Sequence, residues 1–89
     1  MIKIITDEML ELVDEFTNKM NHMLEEKFPK YKDSWRDTNI GDLRTKIGEQ
    51  MKGITDIMMT GYEFDREKVK RKLIHIANYC LFTYNKMDE

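Results

Sequence analysis

Hydrophobic side chains recur every three or four residues along most of the chain, which is the spacing of an amphipathic helix. The first series predicts a helix over about residues 7–28 and consists of Met9, Val13, Phe16, Met20 and Leu24. Thr6 is a good N-cap for this helix, and the acids that follow it suit the positive end of the helix dipole. Pro29 predicts where the helix ends.

The second series follows a polar stretch, residues 29–39, which we expect to be a loop. It consists of Leu43, Ile47, Met51, Ile54 and Met58. A helix that starts near Ile40 or Asp42 places these side chains on one face. We expect Gly61 just past the end of this helix, because glycine readily adopts the left-handed conformation found there.

The third series lies in the last part of the chain, where Asp65 is a good N-cap for a helix over about residues 66–86. Its stripe consists of Val69, Leu73, Ile76, Cys80, Tyr84 and Met87, and further apolar side chains flank it: Ile74, Tyr79, Leu81 and Phe82. A helix that is apolar all round is normally buried, and two other helices offer too little surface to cover it. We therefore expect a homo-oligomer, a dimer or tetramer, with helix 3 central to both core and interface.

Together the patterns predict an all-α protein with a single domain over residues 1–89. The expected architecture is a small helical bundle of three long helices, completed by homo-oligomerisation into a four-helix-bundle-like core. A chain of this length buries a modest core, so partner subunits often supply the rest. One proline and four glycines leave little room for a loop-rich or all-β fold.

Composition and charge narrow the function classes. A net charge of −2 gives no overall attraction to nucleic acid, and no stretch reaches the roughly 18 apolar residues of a membrane span, so neither partner is expected. Cys80 is the single cysteine, which excludes an internal disulfide and fits a reducing, cytoplasmic location. Its position on an apolar stripe predicts a small buried side chain.

Three segments together carry a resemblance to a known family. Residues 30–37 read KYKDSWRD, residues 43–54 read LRTKIGEQMKGI, and residues 72–82 read KLIHIANYCLF. This order is similar to that of the all-α nucleoside triphosphate pyrophosphatases of the MazG-like superfamily, and the similarity covers about residues 30–84. In that family a loop like Gly-Asp-Ser-Trp leads into a helix with Glu-x-x-Glu, and a later helix carries Glu-x-x-Asp. The four carboxylates hold Mg²⁺, which activates water to split a nucleoside triphosphate into the monophosphate and pyrophosphate.

This chain departs from the family at the metal ligands. The four ligand positions fall on Lys46, Glu49, Lys72 and His75, so one carboxylate remains. Mg²⁺ requires an array of oxygen ligands, which one carboxylate beside two ammonium groups does not provide. The resemblance therefore implies a degenerate, catalytically inactive member with no metal and no catalytic residues. We expect Glu49 to form a salt bridge with Lys72 or His75 instead.

A second interpretation keeps ligand binding without the metal. The candidate nucleotide- or phosphate-binding residues are Trp35, Arg36, Arg44, Lys68, Lys72 and Asn78. The basic side chains at the start of helix 3 oppose the helix dipole, so their charge carries a cost that binding of an anion would offset. Main-chain N–H groups at a helix start also bind phosphate. The alternative is that these basic side chains are ordinary solvated surface charges. Trp35 is either a stacking partner for a base or an apolar plug at the end of the bundle. The resemblance implies that Asn78 contacts the base of a bound nucleotide. The alternative is that its side chain hydrogen-bonds to water or to a neighbouring loop.

Three function classes follow. The favoured one is an inactive pyrophosphohydrolase-like fold that serves as an oligomeric nucleotide- or phosphate-binding, regulatory or scaffold module, with no cofactor. The first alternative is an active nucleoside triphosphate pyrophosphohydrolase that uses Mg²⁺. The second is an unrelated small helical adaptor protein. Metal-dependent turnover would indicate the active enzyme, and nucleotide binding without turnover would indicate the inactive binding module. If neither occurs, a scaffold or an unrelated protein remains.

Overall fold

A computed structural model of the chain describes residues 6–32, 34–61 and 63–88. Within these ranges the chain is helical and has no strand, which confirms the all-α prediction. The helices are α1 (Asp7–Tyr31), α2 (Ile40–Met58) and α3 (Arg66–Lys86), and a short 3-10 turn (Ser34–Arg36) lies between α1 and α2. None of these helices, over the described residues, combines the length and the apolar character that a bilayer crossing requires.

Each helix starts at a side chain that accepts a main-chain hydrogen bond. The Thr6 hydroxyl accepts from the N–H of Met9 at 3.2 Å, and the Asp65 carboxylate accepts from the N–H of Lys68 at 3.1 Å. Asn39 does the same for α2, with its side-chain oxygen 2.8 Å from the main-chain nitrogen three residues later. The predicted caps of the first and third helices are therefore confirmed, because each satisfies an N–H that the helix itself leaves unpaired.

Two predicted helix ends differ from the observed ones. Helix α1 continues through Pro29 to Tyr31, because a proline removes only one main-chain hydrogen bond and its fixed φ is itself helical. The helix stops at Lys32, whose φ is 47° and whose N–H donates to the Phe28 carbonyl at 2.7 Å. At the end of α2 the cap is Met59, and Gly61 lies two residues further on with φ 116°, a conformation that favours glycine.

Helix α3 is the central element: α2 packs along it and the second half of α1 crosses it. The crossing is antiparallel, since Glu26 lies beside Arg71 while Met20, earlier in α1, lies beside Asn78, later in α3. The buried hydrophobic side chains in the described ranges are few: Met23, Leu43, Ile54 and Ile74. Leu43 is the most enclosed of them, at 1% exposure. The core therefore lies around the middle of α3.

The predicted inner face of α3 is wrong. Leu73, Cys80 and Tyr84 are exposed, Tyr84 to 74%, and the side chains that α3 buries include Ile74 and Asn78, on its opposite side. Cys80 is correspondingly not a buried side chain. The physical reason is that a helix with apolar residues on most of its circumference has no unique inner face, so its neighbours decide which side is covered.

Helix α1 divides into two parts. Every residue from 7 to 19 is exposed, and we call this segment the acidic arm because five of its residues are Asp or Glu and one is Lys. The predicted stripe of α1 runs through both parts, but Met9, Val13 and Phe16 on the arm remain 44–53% exposed among the residues that the structure describes. The second part, by contrast, buries Met23 and reaches the candidate site.

Candidate functional site

A groove of about 510 Å³ lies where the second half of α1, the 3-10 turn, the start of α2 and the middle of α3 meet. Its volume falls within the roughly 300–1,000 Å³ of small-molecule sites. Four residues singled out from the sequence line it: Trp35, Lys46, His75 and Asn78. The fold therefore brings together side chains that are up to 43 positions apart in the sequence.

Aromatic side chains form much of the groove wall. They are Phe28, Tyr31, Trp35, Tyr79 and Phe82. The Trp35 and Phe82 rings are stacked, with centroids 5.0 Å apart and planes 9° apart, and Tyr79 lies 6.3 Å from the His75 ring. Five rings around one groove provide flat apolar surfaces of the kind on which a ligand ring packs.

The 3-10 turn that carries Trp35 is held against α3 by a buried lysine. The Lys86 ammonium donates to the main-chain carbonyl of Arg36 at 2.7 Å and is 8% exposed. The Arg36 guanidinium lies 4.8 Å from the Trp35 ring centre, and the Thr38 hydroxyl closes the turn on the Ser34 carbonyl. Stacking of a base on Trp35 would compete with its contacts to Phe82 and Arg36, so the geometry favours Trp35 as a fixed wall.

The groove is cationic. Lys27, Lys32 and Lys46 line it, and none of its described lining residues is Asp or Glu. A group of like charges at one concave surface raises the local concentration of ions of opposite sign. Lys27 and Lys32, with Phe28 and Tyr31, come from the segment KFPKYK, and none of the four is among the site residues expected from the sequence. Its alternation of lysine and aromatic residues is the available signal.

His75 reports the same positive environment. Burial lowers the pKa of its imidazole, and the positive charges of Arg71, Lys27 and Lys72 lower this pKa further, against a weaker opposite effect of Glu26. Both causes disfavour the protonated ring, because it would lose hydration and would meet cations from α1 and α3. An anion in the groove would reverse the second cause and favour protonation of His75.

Asn78 presents an unpaired acceptor at the groove wall. Its side chain is 5% exposed, and its Nδ2 donates to the Met20 carbonyl at 3.4 Å. Its Oδ1 is buried and accepts no hydrogen bond from the described residues. A buried acceptor without a donor costs free energy, so a donor supplied by a ligand or by water would stabilise this arrangement.

The four positions that the resemblance assigned to metal ligands do not form one cluster. Lys46 and His75 line the groove, whereas Glu49 is exposed and Lys72 lies across α2 at Gly53. In the described part of the chain Glu49 makes no ion pair with Lys72 or His75, so the expected salt bridge is not formed. The ion pair between helices joins Arg71 and Glu26 at 2.9 Å, and the guanidinium lowers the pKa of that carboxyl through its hydrogen bond and its charge.

The remaining candidates lie outside the groove. Arg36, Arg44 and Lys68 are exposed and are not among its lining residues. The main-chain N–H of Lys68 already donates to Asp65, so this N–H at the start of α3 is used by the cap. Among the described residues no group of three His, Cys, Asp or Glu side chains converges as a metal site would require. The described lining thus provides aromatic and cationic contacts together with one imidazole.

Comparison with known protein families, with curated proteins and with solved structures found no match for this chain. The similarity to the MazG-like pyrophosphatases therefore rests on the motifs quoted above.

Proposed function

We propose that the groove binds a nucleotide, or another ligand that joins an aromatic ring to phosphate groups, and that the chain does not hydrolyse it. The observation that carries this proposal is the make-up of the groove: five aromatic side chains, three lysines and one histidine, with no carboxylate among its described lining residues. Such a lining favours an anion that also carries a ring, and the motif order of a nucleotide-hydrolysing fold agrees with it.

The parts of the ligand divide between the parts of the groove. The phosphates would lie nearest Lys27, Lys32 and Lys46, because hydrogen bonds between charged groups contribute about 1.5–3 kcal/mol each. The ring would pack among the side chains of the aromatic wall. The free acceptor of Asn78 suits a ring that carries an N–H or an amino group.

Inactivity follows from the substituted positions. Lys46, Lys72 and His75 stand where the family has carboxylates, and Glu49 is exposed on α2. Mg²⁺ binding needs several oxygen ligands at close to octahedral geometry. We therefore propose a degenerate MazG-like module that binds a nucleotide or phosphate without a cofactor. Its role would be regulatory or that of a scaffold.

The test uses Trp35, the single tryptophan of the chain, as an internal probe in the groove. Titration with each nucleoside triphosphate and with pyrophosphate, with Mg²⁺ and with chelator, should change its fluorescence for at least one nucleotide irrespective of the metal. The same ligand should raise the melting temperature, because it binds only the folded state. Lys46→Gln should weaken binding about tenfold. Arg44→Gln, an exposed change on the same helix, is the matched control and should leave binding unchanged.

Two outcomes contradict the proposal. Mg²⁺-dependent release of pyrophosphate that is abolished by Glu49→Gln would show an active pyrophosphohydrolase, the first alternative. The absence of any fluorescence or melting response to every nucleotide and to pyrophosphate would remove the ligand-binding role and favour a scaffold or an unrelated helical adaptor.

We also propose that the protein acts as a homo-oligomer, a dimer or tetramer, in which helix α3 contributes to the interface. The exposed apolar residues of α3 support this part of the proposal, because Leu73, Leu81 and Tyr84 would otherwise remain in contact with water.

A further inference from the structure

Two apolar surfaces remain exposed in the part of the chain that the structure describes. One lies on the acidic arm and is formed by Met9, Leu12, Val13 and Phe16. The other, which we call the outer stripe of α3, consists of Leu73, Cys80, Tyr84 and Met87. Both have helical spacing, so each presents a continuous apolar line to the solvent.

The total exposed area shows how much surface remains to be covered. The chain exposes 7590 Å² for a mass of 10.8 kDa, whereas a compact monomer of that mass exposes about 5,500 Å². Its radius of gyration is 15.3 Å, against about 12 Å for a compact chain of this length. The excess of roughly 2,000 Å² per chain, or about 4,000 Å² for two, falls within the range of permanent homodimer interfaces.

The two segments that carry these surfaces have opposite net charges. The acidic arm has five acids and one lysine, a net charge of −4. The first two turns of α3, residues 66–72, have five basic residues and one acid, a net charge of +4. Arg66 and Lys70 in these turns stand next to the start of the outer stripe. A partner helix on this stripe is therefore favoured if it is acidic, and a second copy of this chain provides one.

We propose that the acidic arm of each copy packs on the outer stripe of the partner's α3, so that two reciprocal contacts form a twofold-symmetric dimer. The surface on each copy is then the same, as a symmetric dimer requires. Each arm covers the face of α3 that its own chain leaves open, and the four helices form the bundle that one chain lacks. This inference rests on the self-association proposed above and does not depend on ligand binding in the groove.

The first experiment measures mass in solution over a range of protein concentrations by sedimentation equilibrium. The native chain should have twice its single-chain mass of 10.8 kDa. Val13→Glu, on the arm, should raise the dimer dissociation constant at least about tenfold, because it places a charge in an apolar contact. Met59→Glu adds the same charge at a position that is 79% exposed and outside both surfaces, so it should leave the constant unchanged.

A pair of charge reversals tests the same contact without changing the apolar residues. Glu8→Lys with Glu15→Lys, two acids on one flank of the arm's apolar surface, should weaken the dimer. The addition of Arg66→Glu with Lys70→Glu should restore it, since the charges are then exchanged between the two sides. The sole cysteine gives an independent test, because Cys80 lies on the outer stripe. One of Met9→Cys, Val13→Cys or Phe16→Cys should form a disulfide between copies that Cys80→Ser abolishes.

Circular dichroism verifies that each variant is still helical. The proposal is overturned by a monomer at all concentrations, by a dimer that withstands Val13→Glu, or by disulfides that join only Cys80 to Cys80. The Trp35 titration in Val13→Glu separates this proposal from the function of the groove. Val13 is not among the described lining residues of the groove, the first of which is Met23, so nucleotide binding should persist in this variant even if the dimer is lost.

Discussion

The two halves of helix α1 follow one hydrophobic pattern but have opposite surroundings. On the acidic arm Met9 is 52% exposed, whereas Met23 in the second half is 6% exposed. The second half lies against α3 and the groove, and it contributes Lys27, Phe28 and Tyr31 to the groove lining. The arm has five acids and one lysine, whereas residues 20–31 have two acids and two lysines. The apolar side of the arm stays exposed among the described residues.

This difference shows what an amphipathic period specifies and what it leaves open. The period identifies a helix face that must be covered, but the identity of the covering surface depends on the other elements. In the second half that surface is α3, whose Asn78 side chain donates a hydrogen bond to the Met20 carbonyl of α1. For the arm we infer that it is the α3 of another copy. The following predictions compare changes in the covered and open parts of the molecule.

The largest effect is expected from truncating matched methionines in the two halves. Met23→Ala removes a buried side chain and should lower the free energy of unfolding by about 2–5 kcal/mol. Met9→Ala removes a half-exposed side chain on the same helix and should cost less than about 0.5 kcal/mol in dilute protein. Urea denaturation of both variants measures the difference.

The same two variants, Met23→Ala and Met9→Ala, also test the dimer when their stability is measured at several protein concentrations. At concentrations where the native chain dimerises, Met9→Ala should become more destabilising, because unfolding then also loses the arm contact. An equal cost for both methionines in dilute monomer would contradict the division of α1 into covered and open halves.

A smaller effect is expected from removing helix caps. Asp65→Ala leaves the N–H of Lys68 without its 3.1 Å hydrogen bond and should cost about 1 kcal/mol. Thr6→Ala removes the equivalent bond to Met9 at the start of the arm. There it should mainly fray the first turn, because few tertiary contacts depend on that end. Hydrogen exchange distinguishes local fraying from global unfolding, and a global cost for Thr6→Ala equal to that for Asp65→Ala would contradict this account.

Most of the fold was predictable from the sequence because helix starts depend on local chemistry. Thr6 and Asp65 cap the helices that were expected to follow them, and α3 spans Arg66–Lys86, the range its period predicts. The end of α1 was not predicted, since the effect of Pro29 depends on how much of the helix follows it. The inner face of α3 was missed because Leu73 and Ile74 are equally apolar and the period cannot choose between them.

The candidate site was predictable only in part. Motif similarity singled out Trp35, Lys46, His75 and Asn78, which the fold does bring to one groove. It did not indicate Lys27 and Phe28, which precede the quoted motif, and it gave no site role to Tyr31 and Lys32 within that motif. These side chains meet the other lining residues only through the crossing of α1 and α3. Lys86 was missed for a related reason. A lysine near a helix end is ordinarily solvated, and its burial depends on the turn that it holds.

Two glycines of α2 lie on different sides of the helix, Gly48 on an open side and Gly53 on a side covered by Lys72. A Cβ at Gly48 would have no neighbour within 4 Å, whereas a Cβ at Gly53 would lie 3.1 Å from the Lys72 ammonium. Gly48→Ala should stabilise the protein by about 0.5–1 kcal/mol, since alanine restricts the unfolded chain and favours the helix. Gly53→Ala should gain less, because the end of the lysine chain must move. Thermal unfolding of both variants measures this, and a larger gain at Gly53 would show that Lys72 is not held there.

The smallest effect compares the two histidines as a function of pH. Burial and nearby cations lower the pKa of His75 in the folded state, relative to about 6.5 in the unfolded chain. The unfolded state therefore binds more protons once the pH falls below about 6.5, so the stability present above that pH declines on acidification. Urea midpoints measured at pH 7.5 and 5.5 should show this decline in stability. The decline should be smaller in His75→Gln. The control is His22→Gln, at an exposed position of α1, in which the decline should remain. A phosphate-bearing ligand in the groove should also reduce it, because the negative charge raises the pKa of the His75 imidazole. An unchanged decline in His75→Gln would mean that other groups cause it.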